Sequence, residues 1–258
     1  MAVVDNNGVA IHFEVHGSLD HGVPLVLHHG RLGHGDIWHK YGYVTELAAD
    51  RAVITLDARG HGRSSRPHDP TSYAASHMAS DIVAVLDEVD VECADLFGYS
   101  MGGRIGFMAL TFVPERIRSL IAGGAAPFGP ALNREEELKL ASTLADGIEA
   151  YLTQFEVMLQ HPIPEPERSE MLDNDPVAMS ALARQGADWP NVVKRVAASE
   201  TPIQLFGASN SPVWPLIEQA NEQLPNATLV SFDGLGPGDE LRQPDLILPL
   251  VHSFLATL

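Results

Sequence analysis

One serine stands out by its neighbours. Gly98-Tyr99-Ser100-Met101-Gly102, followed by Gly103, lies between the apolar run ADLF (94–97) and the stretch MGGRIGFMAL. A serine between glycines, after a strand and before a helix, reads as a nucleophile elbow. The small residues let strand and helix approach closely, and the serine takes the strained bend. Its oxygen then faces the free N–H groups of a helix N-terminus, which favour developing negative charge. Two more clusters follow apolar runs in the same way. His28-His29-Gly30-Arg31 comes after PLVL, and Asp57-Ala58-Arg59-Gly60-His61-Gly62-Arg63-Ser64 comes after AVITL.

These clusters need a scaffold, and the apolar pattern supplies one. Short runs at Pro24–Leu27, Ala52–Leu56, Ala94–Phe97, Ile117–Ala122, Pro202–Phe206 and Ala227–Phe232 are mostly continuous, as strands buried on both faces must be. Helical patterns near 37–49, 75–89, 101–113, 212–224 and 244–257 lie between them. The alternation predicts an α/β fold with a mostly parallel central sheet flanked by helices. Val9–Val15 alternates apolar and polar residues and reads as an antiparallel edge strand. From 127 to 200 no buried strand appears, and a proline cluster (HPIPEPE, 161–167) interrupts several helical patterns. This reads as a helical cap over the carboxyl ends of the strands. The expected organisation is a core of 1–126 and 201–258 with the cap at 127–200.

The chain has 258 residues, 45% of them apolar and 19% charged, with a formal charge of -18. Such an acidic balance argues against nucleic acid or an anionic membrane as partner, because both need a basic face. A single cysteine, Cys93, excludes an internal disulfide and suits a reducing compartment. No run of 18 apolar residues and no leader-like N-terminus is present, so a cytoplasmic location is expected. No H-E-x-x-H, cysteine cluster or glycine-rich dinucleotide pattern occurs. The expectation is a small-molecule substrate, no cofactor and no metal, with a homo-oligomer left open.

Taken together, the elbow, HHG and DARGHGRS make the chain resemble the α/β-hydrolase superfamily, with its 3-oxoadipate enol-lactonase-like and esterase-like members nearest in look. The resemblance spans nearly the whole chain. It implies backbone oxyanion donors at Arg31 and Met101, with Ser100 as nucleophile. It also implies that His29 orders its loop, and His29, Tyr99, Asn210 and Trp214 are candidates for lining the pocket. Two positions depart from the family pattern. The triad acid would close G-x-x-D, but the chain has Gly207-Ala208-Ser209-Asn210. The triad histidine would close G-x-G-H with a proline seven residues on. Here Gly234-Leu235-Gly236-Pro237 is followed by Pro244, so Pro237 takes the histidine's place.

The remaining histidines do not fill that place by position. Of twelve, only His161 and His252 follow Ser100. Losing a triad histidine costs on the order of 10⁶ in turnover, while an oxyanion hole and binding alone leave roughly 10³–10⁴ over water. His34, flanked by Gly33 and Gly35, is the candidate substitute base; an exposed loop histidine is the plain alternative. Asp239 and Glu240 could bring a carboxylate near the position of Pro237. Three readings follow: an enzyme of carbonyl, ester or lactone substrates that uses an oxyanion hole without the standard triad, acting as lyase, decarboxylase or isomerase; a serine hydrolase with a recruited base, His34 or His161; and a ligand-binding protein without catalysis.

Overall fold

The computed structural model describes residues 2–20, 22–129, 133–159 and 161–258. Eight strands form one sheet: β1 (Ala2–Asn6), β2 (Val9–His16), β3 (Leu25–His28), β4 (Val53–Leu56), β5 (Ala94–Tyr99), β6 (Ile117–Gly123), β7 (Ile203–Ala208) and β8 (Ala227–Phe232). The spatial order is β1-β2-β4-β3-β5-β6-β7-β8, with β1 and β2 antiparallel and the others parallel. The α/β architecture expected from the alternation is therefore present. β3, β4 and β5 are buried at every position, which explains their unbroken apolar runs.

The edge differs from expectation. β2 is not the edge strand; it lies between β1 and β4. Asn7 (φ 56°) and Gly8 (φ 84°) make the two-residue turn that folds β1 onto it. Asn-Gly is the pair that such a turn prefers. β1 is half-exposed and carries only a weak apolar signal of its own.

The helices are α1 (Ile37–Lys40), α2 (Tyr43–Leu47), α3 (Ala75–Glu88), α4 (Met101–Phe112), α5 (Arg134–Ala145), α6 (Ile148–Leu159), α7 (Glu167–Leu172), α8 (Pro176–Gly186), α9 (Val193–Ala197), α10 (Trp214–Gln223) and α11 (Pro244–Leu255). The single helix expected over 37–49 is two, broken at Gly42, whose φ is 83°. One sheet face buries Ile54, Leu96 and Leu205 with Ile82, Ile105 and Phe107 of α3 and α4. The other buries Leu27, Phe97 and Phe206 with Trp38, Tyr43 and Val251 of α1, α2 and α11. On that second face Phe97 stands 4.9 Å from Trp38 and 5.9 Å from Phe206, ring to ring. These contacts fix the end of β5, which carries Ser100. Helices α5 to α9 all fall between β6 and β7, and no strand interrupts them among the described residues. No helix among the described residues is long and apolar enough to cross a membrane.

Candidate active site

Ser100 sits in the bend between β5 and α4 with φ 52° and ψ -111°. An L-residue rarely adopts this conformation, and it persists only where its surroundings enforce it. The enforcing contacts are visible. The Ser100 N–H donates to the Gly123 carbonyl at 2.7 Å, and its own carbonyl accepts from the Arg104 N–H at 3.0 Å. Gly102 lies so close to the His28–His29 backbone that a Cβ there would stand 2.1 Å from the His28 oxygen. The Ser100 hydroxyl makes no capping bond to α4 and is half-buried.

The loop after β3 borders this bend. A Cβ at Gly30 would meet the Ser100 Cβ at 3.4 Å. Among the described residues, neither the Arg31 N–H nor the Met101 N–H donates to another protein group; Arg31 follows Gly30 in this loop and Met101 follows the serine. His29 holds the loop in shape. Its Nδ1 donates to the Gly30 carbonyl at 2.7 Å and its Nε2 accepts from the Ala58 N–H at 3.0 Å. Burial drives its pKa down to about 3, so it is neutral. Asp57 fastens the same region, accepting from the Gly35 N–H at 2.7 Å and the Arg63 N–H at 2.9 Å.

The loop after β8 carries Pro237, which is half-buried. Tyr99 Oη donates to Glu240 Oε1 at 2.9 Å, and Tyr43 Oη donates to the Leu241 carbonyl at 3.0 Å, so the loop is clipped to the end of β5 and to the start of α2. Glu240 is only 1% exposed, its Oε2 has no partner, and burial raises its pKa. Asp239 accepts from the Gly236 N–H at 3.1 Å and from Arg242 at 3.2 Å.

The model of the alpha/beta hydrolase fold family matches residues 23–161, more than half of the chain. The chain belongs to this family. It is similar to the proposed carbamate hydrolase RutD of Azorhizobium caulinodans, 34% identical over 256 residues that cover 95% of this chain and 94% of that one. The proposed 2-succinyl-6-hydroxy-2,4-cyclohexadiene-1-carboxylate synthase of Bacillus subtilis is 26% identical over 251 residues, covering 91% and 90%. Among solved structures, the enol-lactonase from Burkholderia xenovorans LB400 superimposes with a TM-score of 0.81 at 18% identity over 99% of this chain and 100% of that one.

Within this α/β-hydrolase fold the other sequence candidates are dispersed. His34 faces Asp36, with Nδ1 3.6 Å from the carboxylate, and borders a small hollow with Leu32, Ile37 and Met171. His161 donates from Nδ1 to the Pro162 carbonyl at 3.0 Å, and its Nε2 lies 3.6 Å from Asp239. His252 is in the last turn of α11. Asn210 is exposed in the turn after β7. Trp214 opens α10 and packs over Gly207, where a Cβ would lie 3.6 Å from its ring. Tyr99 turns its ring into the core and its hydroxyl to Glu240.

Sequence reasoning missed a buried charge cluster. Glu137 of α5 accepts from Arg31 at 3.2 Å and from Arg104 at 3.2 Å. Arg104 also donates to the Gly129 carbonyl at 2.9 Å and lies 4.8 Å from the centre of the Trp189 ring. Desolvation lowers its pKa to about 10. The available signal was Arg104 itself, an arginine on the apolar face of the helix that follows the elbow.

Proposed function

We propose that this α/β-hydrolase-fold protein is an enzyme of small ester, lactone or carbamate-type carbonyl substrates. In this reading the N–H groups of Arg31 and Met101 hold the substrate oxygen as it becomes negative. The helices over 127–200 act as the cap. Among the described residues no side chain relays a proton from Ser100, so the chemistry runs through a stabilised enolate or related oxyanion, as in elimination or isomerisation, with the C–H proton passing to a carboxylate such as Asp239, or in decarboxylation, with CO2 leaving. One observation carries this: the loop that lies against Tyr99 presents Pro237, and neither histidine after Ser100 is bonded to the serine hydroxyl. A backbone donor pair is worth about 3–4 kcal/mol per donor to such an intermediate.

One relative supports the substrate class, since it bears a carbamate hydrolase name. A second reading, hydrolysis through a recruited imidazole, has one contact in its favour. His161 pairs with Asp239 in the same loop as Pro237, at 3.6 Å. Mass spectrometry after exposure to a fluorophosphonate separates the two. No adduct is expected, together with equal rates for wild type and Ser100→Ala on a panel of p-nitrophenyl esters and lactones. A stoichiometric adduct on Ser100 transfers the case to the recruited base.

A further inference from the structure

Away from the elbow, β2 presents His12, Glu14 and His16 on one face, because side chains two apart share a side of a strand. Ile11 and Phe13, at the alternate positions, enter the core on the other face. The folded chain brings His39 of α1 against this polar face. His16 Nε2 lies 3.8 Å from Glu14 Oε2, and His39 Nε2 lies 3.9 Å from the same oxygen. The ligand atoms of these three residues all fall within 4.8 Å of one another. The two imidazoles meet edge to face with centroids 4.6 Å apart.

We propose that Glu14, His16 and His39 bind a first-row divalent cation of the Zn²⁺, Co²⁺ and Ni²⁺ class, pinning α1 to β2. Two nitrogens and one carboxylate oxygen form a donor set these ions accept, with water completing the shell. Metal–ligand bonds of about 2.0–2.2 Å place neighbouring ligand atoms roughly 3.3–3.5 Å apart. The two carboxylate–imidazole spacings, 3.8 and 3.9 Å, need to close by a few tenths of an ångström, and the widest spacing in the group, up to 4.8 Å, by about 1 Å or more. His39 sits on a four-residue helix with its side chain 39% exposed, and can supply that movement.

An independent observation points to a missing partner. His16 Nε2 is buried and has no hydrogen bond. An unsatisfied buried nitrogen is costly unless something occupies it. The carboxylate is already divided for this use. Glu14 Oε1 accepts from Arg63 at 3.2 Å, which leaves Oε2 to face both imidazoles. Arg63 is itself neutralised by Asp36 at 2.7 Å and Asp57 at 3.2 Å. The three carboxylates around one guanidinium leave an excess of negative charge beside the imidazoles. His12 Nε2, also buried without a hydrogen bond, stands 3.9 Å from Glu14 Oε1 as a neighbour of the site.

Calorimetric titration of the full chain with Zn²⁺, and visible absorption with Co²⁺, test the proposal. One ion per chain is expected. Glu14→Gln, His16→Ala and His39→Ala should each weaken binding by about tenfold or more. His68→Ala, at an exposed histidine paired with Asp175, should leave it unchanged. His39→Ala is the deciding variant, since removal of an exposed side chain leaves the core intact. Circular dichroism checks that every variant is folded. Absence of binding to the wild type overturns the proposal, as does binding that survives His39→Ala within threefold.

Discussion

At the scale of single residues, Glu240 is the least expected occupant of the site region. A carboxyl whose folded pKa is raised holds its proton more tightly folded than unfolded. It therefore costs stability once pH climbs past the ordinary value of 4.5 and through the raised one, and the cost vanishes on acidification. Glu240→Gln mimics the protonated form and keeps an acceptor for Tyr99. The variant is expected to exceed wild type by about 1 kcal/mol at pH 7.5, with the gap closing towards pH 4.5. Urea unfolding at both pH values measures this, and a gap independent of pH rejects it. The bend at Ser100 was legible in the sequence because glycine spacing marks it locally. The inward turn of Glu240 was not, because its partner Tyr99 is 141 residues away. The same separation hid Glu137, which meets Arg31 across 106 residues.

At the scale of elements, the strands were readable because burial on both faces leaves a continuous apolar run, as in LVLH, VITL and ADLFGY. β1 escaped because a half-exposed edge needs no such run, and only the Asn-Gly turn marked it. How the helices of 133–200 sit on the core was not legible, since their buried apolar residues, such as Leu144 and Met179, do not name their partners and polar pairs between distant residues add to the seating. Asn174 donates to the Leu32 carbonyl at 2.9 Å, Trp189 donates to the Tyr73 carbonyl at 2.9 Å, and Glu137 bridges Arg31 and Arg104. Removing Glu137 strands the Arg104 guanidinium, only 6% exposed, without its counter-charge. Glu137→Ala should therefore lose about 3–5 kcal/mol. Arg134→Ala removes an exposed pair with Asp188 at 2.8 Å and should lose under about 1 kcal/mol. Chemical denaturation of the two variants side by side checks the ordering; comparable losses would place the attachment of α5 elsewhere.

At the scale of the whole molecule, two electrostatic effects oppose each other on acidification. The formal charge of -18 means that adding protons relieves self-repulsion and favours the compact state. Against this stand His28, His29 and His61, buried side by side, each with a pKa lowered to about 3 by desolvation. They stay neutral in the folded chain and take up protons near 6.5 when it unfolds. Between those values the unfolded state binds more protons, so stability falls as pH falls. Each contributes about 1.4 kcal/mol per pH unit, and three together about 4. Asp57, whose pKa is lowered, adds to the loss only below its ordinary 3.8. Against a total of roughly 5–15 kcal/mol, the histidines outweigh the relief of repulsion within two pH units. Acid unfolding is expected near pH 5, accompanied by uptake of about three protons or more, since His12 and His16 are lowered as well. In guanidinium titrations at pH 7, 6 and 5, His61→Asn should flatten the slope by up to about 1.4 kcal/mol per pH unit, because it removes one of these groups. A stability that climbs from pH 7 to 5 would mean that surface repulsion governs the fold and that the buried imidazoles are reached by water.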